Sequence, residues 1–168
     1  DAFFSSLNAV AGVDPTSTPL RQQVVTSAGL LAQRFNSLNN VYNAQLQSVR
    51  QQRSALVDSA NSTIASIASL NAEIANANAT GSNASALVDA RDQAIDSLAS
   101  QMALEVSDQP DGTRNVSLKT GQSLVLGGVA GKRAVSGGAA QTFSLTFAGT
   151  SFDIDATKAG GQLGGLST

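Results

Sequence analysis

Residues 19–79 read PLRQQVVTSAGLLAQRFNSLNNVYNAQLQSVRQQRSALVDSANSTIASIASLNAEIANANA, with one glycine and no proline after Pro19. Apolar positions step along it as Val24, Ala28, Leu31, Phe35, Leu38 and Tyr42, and the spacing runs on through Gln45, Val49, Gln52 and Leu56. Steps that alternate between four and three keep one seam on one side of a helix, facing a partner. Beyond Leu56 the seam continues through Ala60, Ile64, Ile67, Leu70 and Ile74. Read as one helix, the stretch is about 60 residues long and on the order of 90 Å, at roughly 1.5 Å per residue. A pattern of that length signals a coiled coil or bundle, not the helix of an ordinary globule.

Working outward, Gly12-Val13-Asp14-Pro15 combines a capping glycine with a following proline, so a first helix should end near Ala11. Ser17 or Thr18 then caps the long helix, with Pro19 at its first position, where a missing N–H is harmless. On the other side, Ala79-Thr80-Gly81-Ser82-Asn83 is a helix-to-helix turn. Leu87, Val88, Arg91, Ala94, Ile95, Leu98 and Met102 make a return helix of about 20 residues, expected to lie antiparallel on residues 55–79. The seam core expected from this pattern is Leu31, Phe35, Leu38, Tyr42, Leu56, Ile64, Ile67, Ile74 and Leu98.

Near residue 105 the composition changes. Residues 1–105 hold three of the 15 glycines, and the remaining twelve follow. The period shifts to two: residues 115–119 and 123–126 read as strands around Thr120-Gly121-Gln122, with Val106 leading into a Pro110-Asp111-Gly112 turn. Thr142 to Phe147 alternates with Phe143, Leu145 and Phe147 on one face, and Ser151 to Ile154 alternates after a Gly149 turn. The expected fold is α+β: an elongated antiparallel helical bundle or coiled coil with one very long helix, then a small antiparallel β region of hairpins with four to six strands. The expected organisation is a helical rod over 1–105, a β region over 106–160, and the start of a further helical segment over 161–168. The glycine pairs 127–128, 137–138, 160–161 and 164–165 are its turns and linkers.

The 168 residues carry ten Lys+Arg against twelve Asp+Glu, a net charge of −2, which leaves no basic footprint for nucleic acid or an anionic membrane. His and Cys are both absent, which removes zinc-finger ligation, disulfides and every Ser-His or Cys-His pair. Charged residues make up 13%, about half of the roughly 25% usual for soluble domains. Alanine (27) and serine (22) fill nearly a third of the chain, too little bulk for one dense core. Weak self-repulsion suits a protein that associates with its own copies. No enzyme, cofactor or metal is expected.

Local motifs agree. Leu126-Gly127-Gly128-Val129-Ala130-Gly131-Lys132-Arg133 has three residues between its glycines, and Arg follows Lys, so it reads as a hairpin loop and not a phosphate loop. Asp108, Asp111, Asp153 and Asp155 lack calcium-loop spacing. Glu73, Asp89 and Asp96 have no acid or base partner in reach. The Asn-x-Ser/Thr triplets at 61, 78, 83 and 115 are ordinary in so Asn- and Ser-rich a chain. The most distinctive cluster is Leu87-Val88-Asp89-Ala90-Arg91-Asp92-Gln93. Asp89 and Asp92 sit in the first turns of the return helix, where the macrodipole favours negative charge. Arg91 falls near the seam, where its guanidinium should pair across to a neighbouring helix.

Phe3-Phe4-Ser5-Ser6-Leu7-Asn8 with Pro15 and Arg21, Leu70-Asn71-Ala72-Glu73-Ile74 with the cluster above, and Asn115-Val116-Ser117-Leu118 followed by Gly121-Gln122-Ser123-Leu124-Val125 resemble the flagellar hook-associated protein 1 family of hook–filament junction proteins. Gly161-Gln162-Leu163-Gly164-Gly165-Leu166 looks like the lead-in to that family's C-terminal helix. The resemblance implies a structural protein of the bacterial flagellum, exported by the flagellar type III apparatus to an extracellular position. It implies copies of itself in a ring as partners, together with hook protein and the second junction protein or flagellin. It also implies an export chaperone acting through a C-terminal region. The terminal polymerisation helices are not in this stretch, which reads as a core fragment expected to be monomeric alone. Alternative readings are another axial filament protein, flagellin-like, or a secreted adhesin-like module.

Overall fold

A computed structural model describes residues 2–136 and 142–155. The helices are α1 (Ala2–Gly12), α2 (Thr18–Thr80) and α3 (Ser85–Gln101). They are followed by strands β1 (Leu104–Asp108), β2 (Arg114–Leu118), β3 (Ser123–Leu126), β4 (Val129–Ala130), β5 (Lys132–Ser136), β6 (Thr142–Phe147) and β7 (Thr150–Ile154). Contacts divide the chain into two units, Asp1–Ser48 and Val49–Thr168, so the compositional change near residue 105 falls inside the second.

In the first unit α1 ends at Gly12, which does not adopt the left-handed conformation expected of a capping glycine. The connection to α2 is held by Asp14, whose carboxylate accepts from the Thr16 N–H at 2.9 Å and hydroxyl at 2.7 Å. Arg21 reaches back to the Pro15 carbonyl at 2.8 Å.

α2 runs 63 residues without interruption because no proline follows its first turn and its single glycine is tolerated. It stops where Gly81 turns left-handed (φ 72°). The Ser82 N–H then reaches the Ala77 carbonyl at 2.8 Å and the Gly81 N–H the Asn78 carbonyl at 3.2 Å, a Schellman closure. Four residues later α3 begins, with the Asn83 carboxamide oxygen accepting from the Ser85 N–H and hydroxyl.

The β region forms two sheets, not one. β1-β2-β3-β4 is antiparallel throughout, as is β5-β6-β7. At residues 126–133, read above as a hairpin loop, Gly127 and Gly128 do turn β3 back onto β4, with Leu126 opposite Val129, but the extended chain runs on past that hairpin. The chain forms β4 there, bends at Gly131 and continues as β5, crossing from one sheet to the other. A side chain at Gly131 would meet the Leu124 carbonyl at 3.2 Å and the Phe147 and Leu145 side chains within 3.2 Å, so glycine is what lets the strand turn there. Turns carry glycine where φ is positive, as at Gly112 and Gly121. The β6–β7 turn places both Ala148 (φ 48°) and Gly149 (φ 82°) there.

The core of the second unit is continuous. Val57, Ala60, Ile64, Ile67 and Ala68 of α2 meet Ile95, Leu98 and Met102 from α3 and its end. Val116, Leu118, Leu124 and Val125 of the first sheet join them, with Phe143, Leu145 and Ile154 of the second. The glycine pairs at 137–138, 160–161 and 164–165, and the segment 161–168, lie outside the described residues.

Candidate functional site

Two surfaces of α2 carry the features from which a role can be argued. The first is the face that holds the β region. Its buried row is Val57, Ala60, Ile64, Ile67, Asn71 and Ile74, so the seam passes through Asn71 and not Leu70, which is half-buried. Steps of four, three, four and three from Ala60 to Ile74 preserve the heptad, and the same row reaches Asn78.

Asparagine is a poor helix former because its amide competes for backbone groups. Here the amides serve other segments. Asn71, fully buried, donates to the Arg114 carbonyl at 2.7 Å and the Gly127 carbonyl at 2.9 Å, and accepts from the Arg114 N–H at 3.0 Å. Asn78 donates to the Asp111 carbonyl at 2.9 Å. Asn61 donates to the Arg133 carbonyl and accepts from its N–H, both at 2.8 Å, so its carboxamide pairs with β5 as a strand would. Three amides on one helix thus fix both sheets in register. The only sequence signal for this was asparagine placed at or beside seam positions of a helix.

Arg91 and Asp92 belong to the same clasp. Arg91 is buried, but its guanidinium does not pair with a neighbouring helix. Nη1 donates to the Gly112 carbonyl at 2.7 Å, while Nε and Nη2 lie 3.1 and 3.0 Å from an oxygen of Asp92. The β1–β2 turn occupies the place where a helix was expected. Asp92 also accepts from Arg114 Nη1 at 2.7 Å, and Arg114 Nε reaches Asp108 at 2.6 Å. The hydrogen bond that Arg114 donates to Asp108, aided by the charge of Asp92, raises the Arg114 pKa above its ordinary value. Asp89 is exposed and stands outside this network. The Thr113 hydroxyl and N–H on Asp111 hold that carboxyl below its ordinary value, as Thr16 does for Asp14.

The second surface lies in the first unit. Phe35, Leu38 and Tyr42, expected in the seam core, are 64%, 65% and 63% exposed, and Val41 and Leu30 stand out beside them. Leu31 and Leu56 are half-buried, whereas Ile64, Ile67, Ile74 and Leu98 are buried. Among the described residues α1 meets only the start of this row, where Phe3 and Phe4 line a cleft with Leu30 and Leu31, and the side chains of Phe35, Leu38, Val41 and Tyr42 stay largely exposed. A cleft of about 100 Å³ beside Phe3, Phe4, Leu30, Leu31 and Arg34 is too small for a typical ligand site. Among the described residues no group of acidic side chains is placed to hold a metal ion, and no helix is long and apolar enough to cross a membrane.

A long helix with a shorter one folded back on it, two small sheets pinned to one face and an apolar row left bare define a structural helical domain. The chain matches, over residues 1–168, the family described as the flagellar hook-associated protein FlgK helical domain, and it belongs to that family. It is 32% identical to flagellar hook-associated protein 1 of Escherichia coli (strain K12), an alignment that takes in 99% of this chain and 32% of that protein. Its fold is similar to that of the flagellar hook junction protein FlgK from Burkholderia pseudomallei, with a TM-score of 0.84 and 28% identity over 98% of this chain. The chain spans about a third of the length of each relative (32% and 31%).

Proposed function

We propose that this chain is the helical domain of a hook–filament junction component of the bacterial flagellum, and that copies of it assemble into a ring by packing side by side. Its task is structural and not catalytic. Hook protein on one side and the second junction protein or flagellin on the other are its neighbours. The protein acts outside the cell after export, and a chaperone engages its C-terminal region. Family membership supports the flagellar role, and the exposed row Phe35, Leu38, Val41 and Tyr42 is the observation that carries the packing role. Apolar side chains in a row are left bare when their partner arrives with assembly. Polar Ser, Asn and Gln surfaces add many modest contacts, multiplied around a ring.

Purified full-length protein added to isolated hooks and imaged by electron cryo-microscopy should place a ring of density at the hook tip. Hooks left bare at saturating protein would contradict the proposal. The 168-residue chain alone should sediment as a monomer at micromolar concentration, and a stable oligomer would count against packing that depends on the rest of the protein.

A further inference from the structure

The two sheets are attached to the helix pair in unequal ways. β1–β4 is held by buried groups that are matched: Asn71 with three bonds, and Arg91 with a carbonyl and a carboxylate. β5–β7 is held by Phe143, Leu145 and Ile154 in the core, and by Asn61 on both backbone groups of Arg133. The side chain of Arg133 breaks the symmetry. It is 1% exposed, its Nη1 donates to Met102 Sδ at 3.1 Å, and its Nε and Nη2 have no acceptor among the described residues.

A thioether sulfur is a weak acceptor, and a guanidinium cannot shed its charge at any ordinary pH. Burial alone pulls the Arg133 pKa below its ordinary value, the direction expected of a cation with no opposite charge beside it among the described residues. A buried cation with unmatched N–H groups destabilises whatever conformation keeps it from water. The movement that returns water to Arg133 is separation of β5 from Met102 and Asn61. Gly131, at the bend between β4 and β5, is where the chain would hinge, its own N–H anchored on the Leu124 carbonyl at 2.7 Å. That opening breaks the two Asn61 bonds, whereas opening of β1–β4 would strip Asn71 of three bonds and Arg91 of its Gly112 carbonyl, with no unmatched cation released in return.

We propose that β5–β7 opens from the helix pair as one cooperative unit while α2, α3 and β1–β4 remain folded, and that Arg133 sets how readily it does so. The second unit therefore has an internal order of release, with the second sheet as its least secure part. This stands independently of the junction role.

Native-state hydrogen exchange on the 168-residue chain tests it. Amides of Lys132–Ser136 and Thr142–Phe147 should exchange together, about 10-fold or more faster than those of Arg114–Leu118 and Ile64–Ile74. Arg133→Met keeps the bulk and removes the charge. It should slow exchange throughout β5–β7 by about 10-fold while leaving β2 and α2 unchanged. Asn61→Ala should speed exchange in the same strands. Equal protection of the two sheets in the unsubstituted chain would overturn the proposal whether or not the variants fold, and so would faster exchange of β5–β7 in Arg133→Met.

Discussion

The two halves of α2 carry the same pattern and meet opposite fates. From Val57 to Ile74 the heptad row is buried under α3 and two sheets, whereas from Leu30 to Tyr42 an equally regular row faces outward with Phe35, Leu38 and Tyr42 about two-thirds exposed. A seam in sequence specifies which face of a helix seeks a partner. It does not specify whether the same chain provides one. The second half found its partners within about 75 residues, and the first half belongs to a chain that spans about a third of its relatives (32% of one).

The largest effect that could break this contrast comes from paired truncations. Ile67→Ala should cost about 2–5 kcal/mol, as large-to-small changes in cores do, whereas Leu38→Ala in the isolated chain should stay within about 0.5 kcal/mol. Urea unfolding of the two variants checks both, and equal losses would erase the distinction between the halves. Next comes Asn71→Ala, which strands two carbonyls and one N–H in the interior and should cost about 2–4 kcal/mol. Asn39→Ala, on an exposed position of the first half, should be neutral to within about 0.5 kcal/mol.

A smaller effect, of opposite sign, belongs to the β6–β7 turn. Ala148 holds a left-handed conformation that costs an L-residue about 1 kcal/mol, and Asn tolerates it better. Ala148→Asn should therefore raise the melting temperature of the second unit by a few degrees, for a gain of about 0.5–1 kcal/mol. The smallest effect is one of pH, and it has a counterpart in each unit. Asp14 and Asp111 have pKa values lowered on folding by the hydroxyl and N–H of Thr16 and Thr113. Each contributes stability that is present above its ordinary unfolded value and is lost as pH falls through the lower folded value. Asp111→Asn and Asp14→Asn should each flatten the acid limb of stability measured from pH 6 down to about pH 2, while changing little at neutral pH.

Much of the fold was legible because helix and strand periods are written in local spacing. The unbroken α2, the turn at Gly81, the return of α3 and strands β2, β3, β6 and β7 follow from residues a few positions apart. The two-sheet arrangement was not legible, because Gly131 looks like any loop glycine until the strand on each side of it pairs with a different neighbour. The clasp was hidden for a related reason. Asn61, Asn71 and Asn78 act on backbone groups 33 to 72 residues away, and local spacing says nothing about such pairs. Arg91 was recognised as distinctive, but its partner turned out to be a carbonyl in a turn, a group every residue carries. Phe35, Leu38 and Tyr42 carry the same spacing as the buried row, and periodicity does not reveal which of two such rows is covered.

Residue-by-residue hydrogen exchange along α2, in the isolated chain and in the full-length protein assembled on hooks, tests most directly whether one half of the helix serves the fold and the other the assembly. Amides from Val57 to Ile74 should be protected in both states, and those from Leu31 to Tyr42 should gain strong protection only on assembly. Equal protection of the two halves in the isolated chain, or no gain between Leu31 and Tyr42 on assembly, would contradict that division.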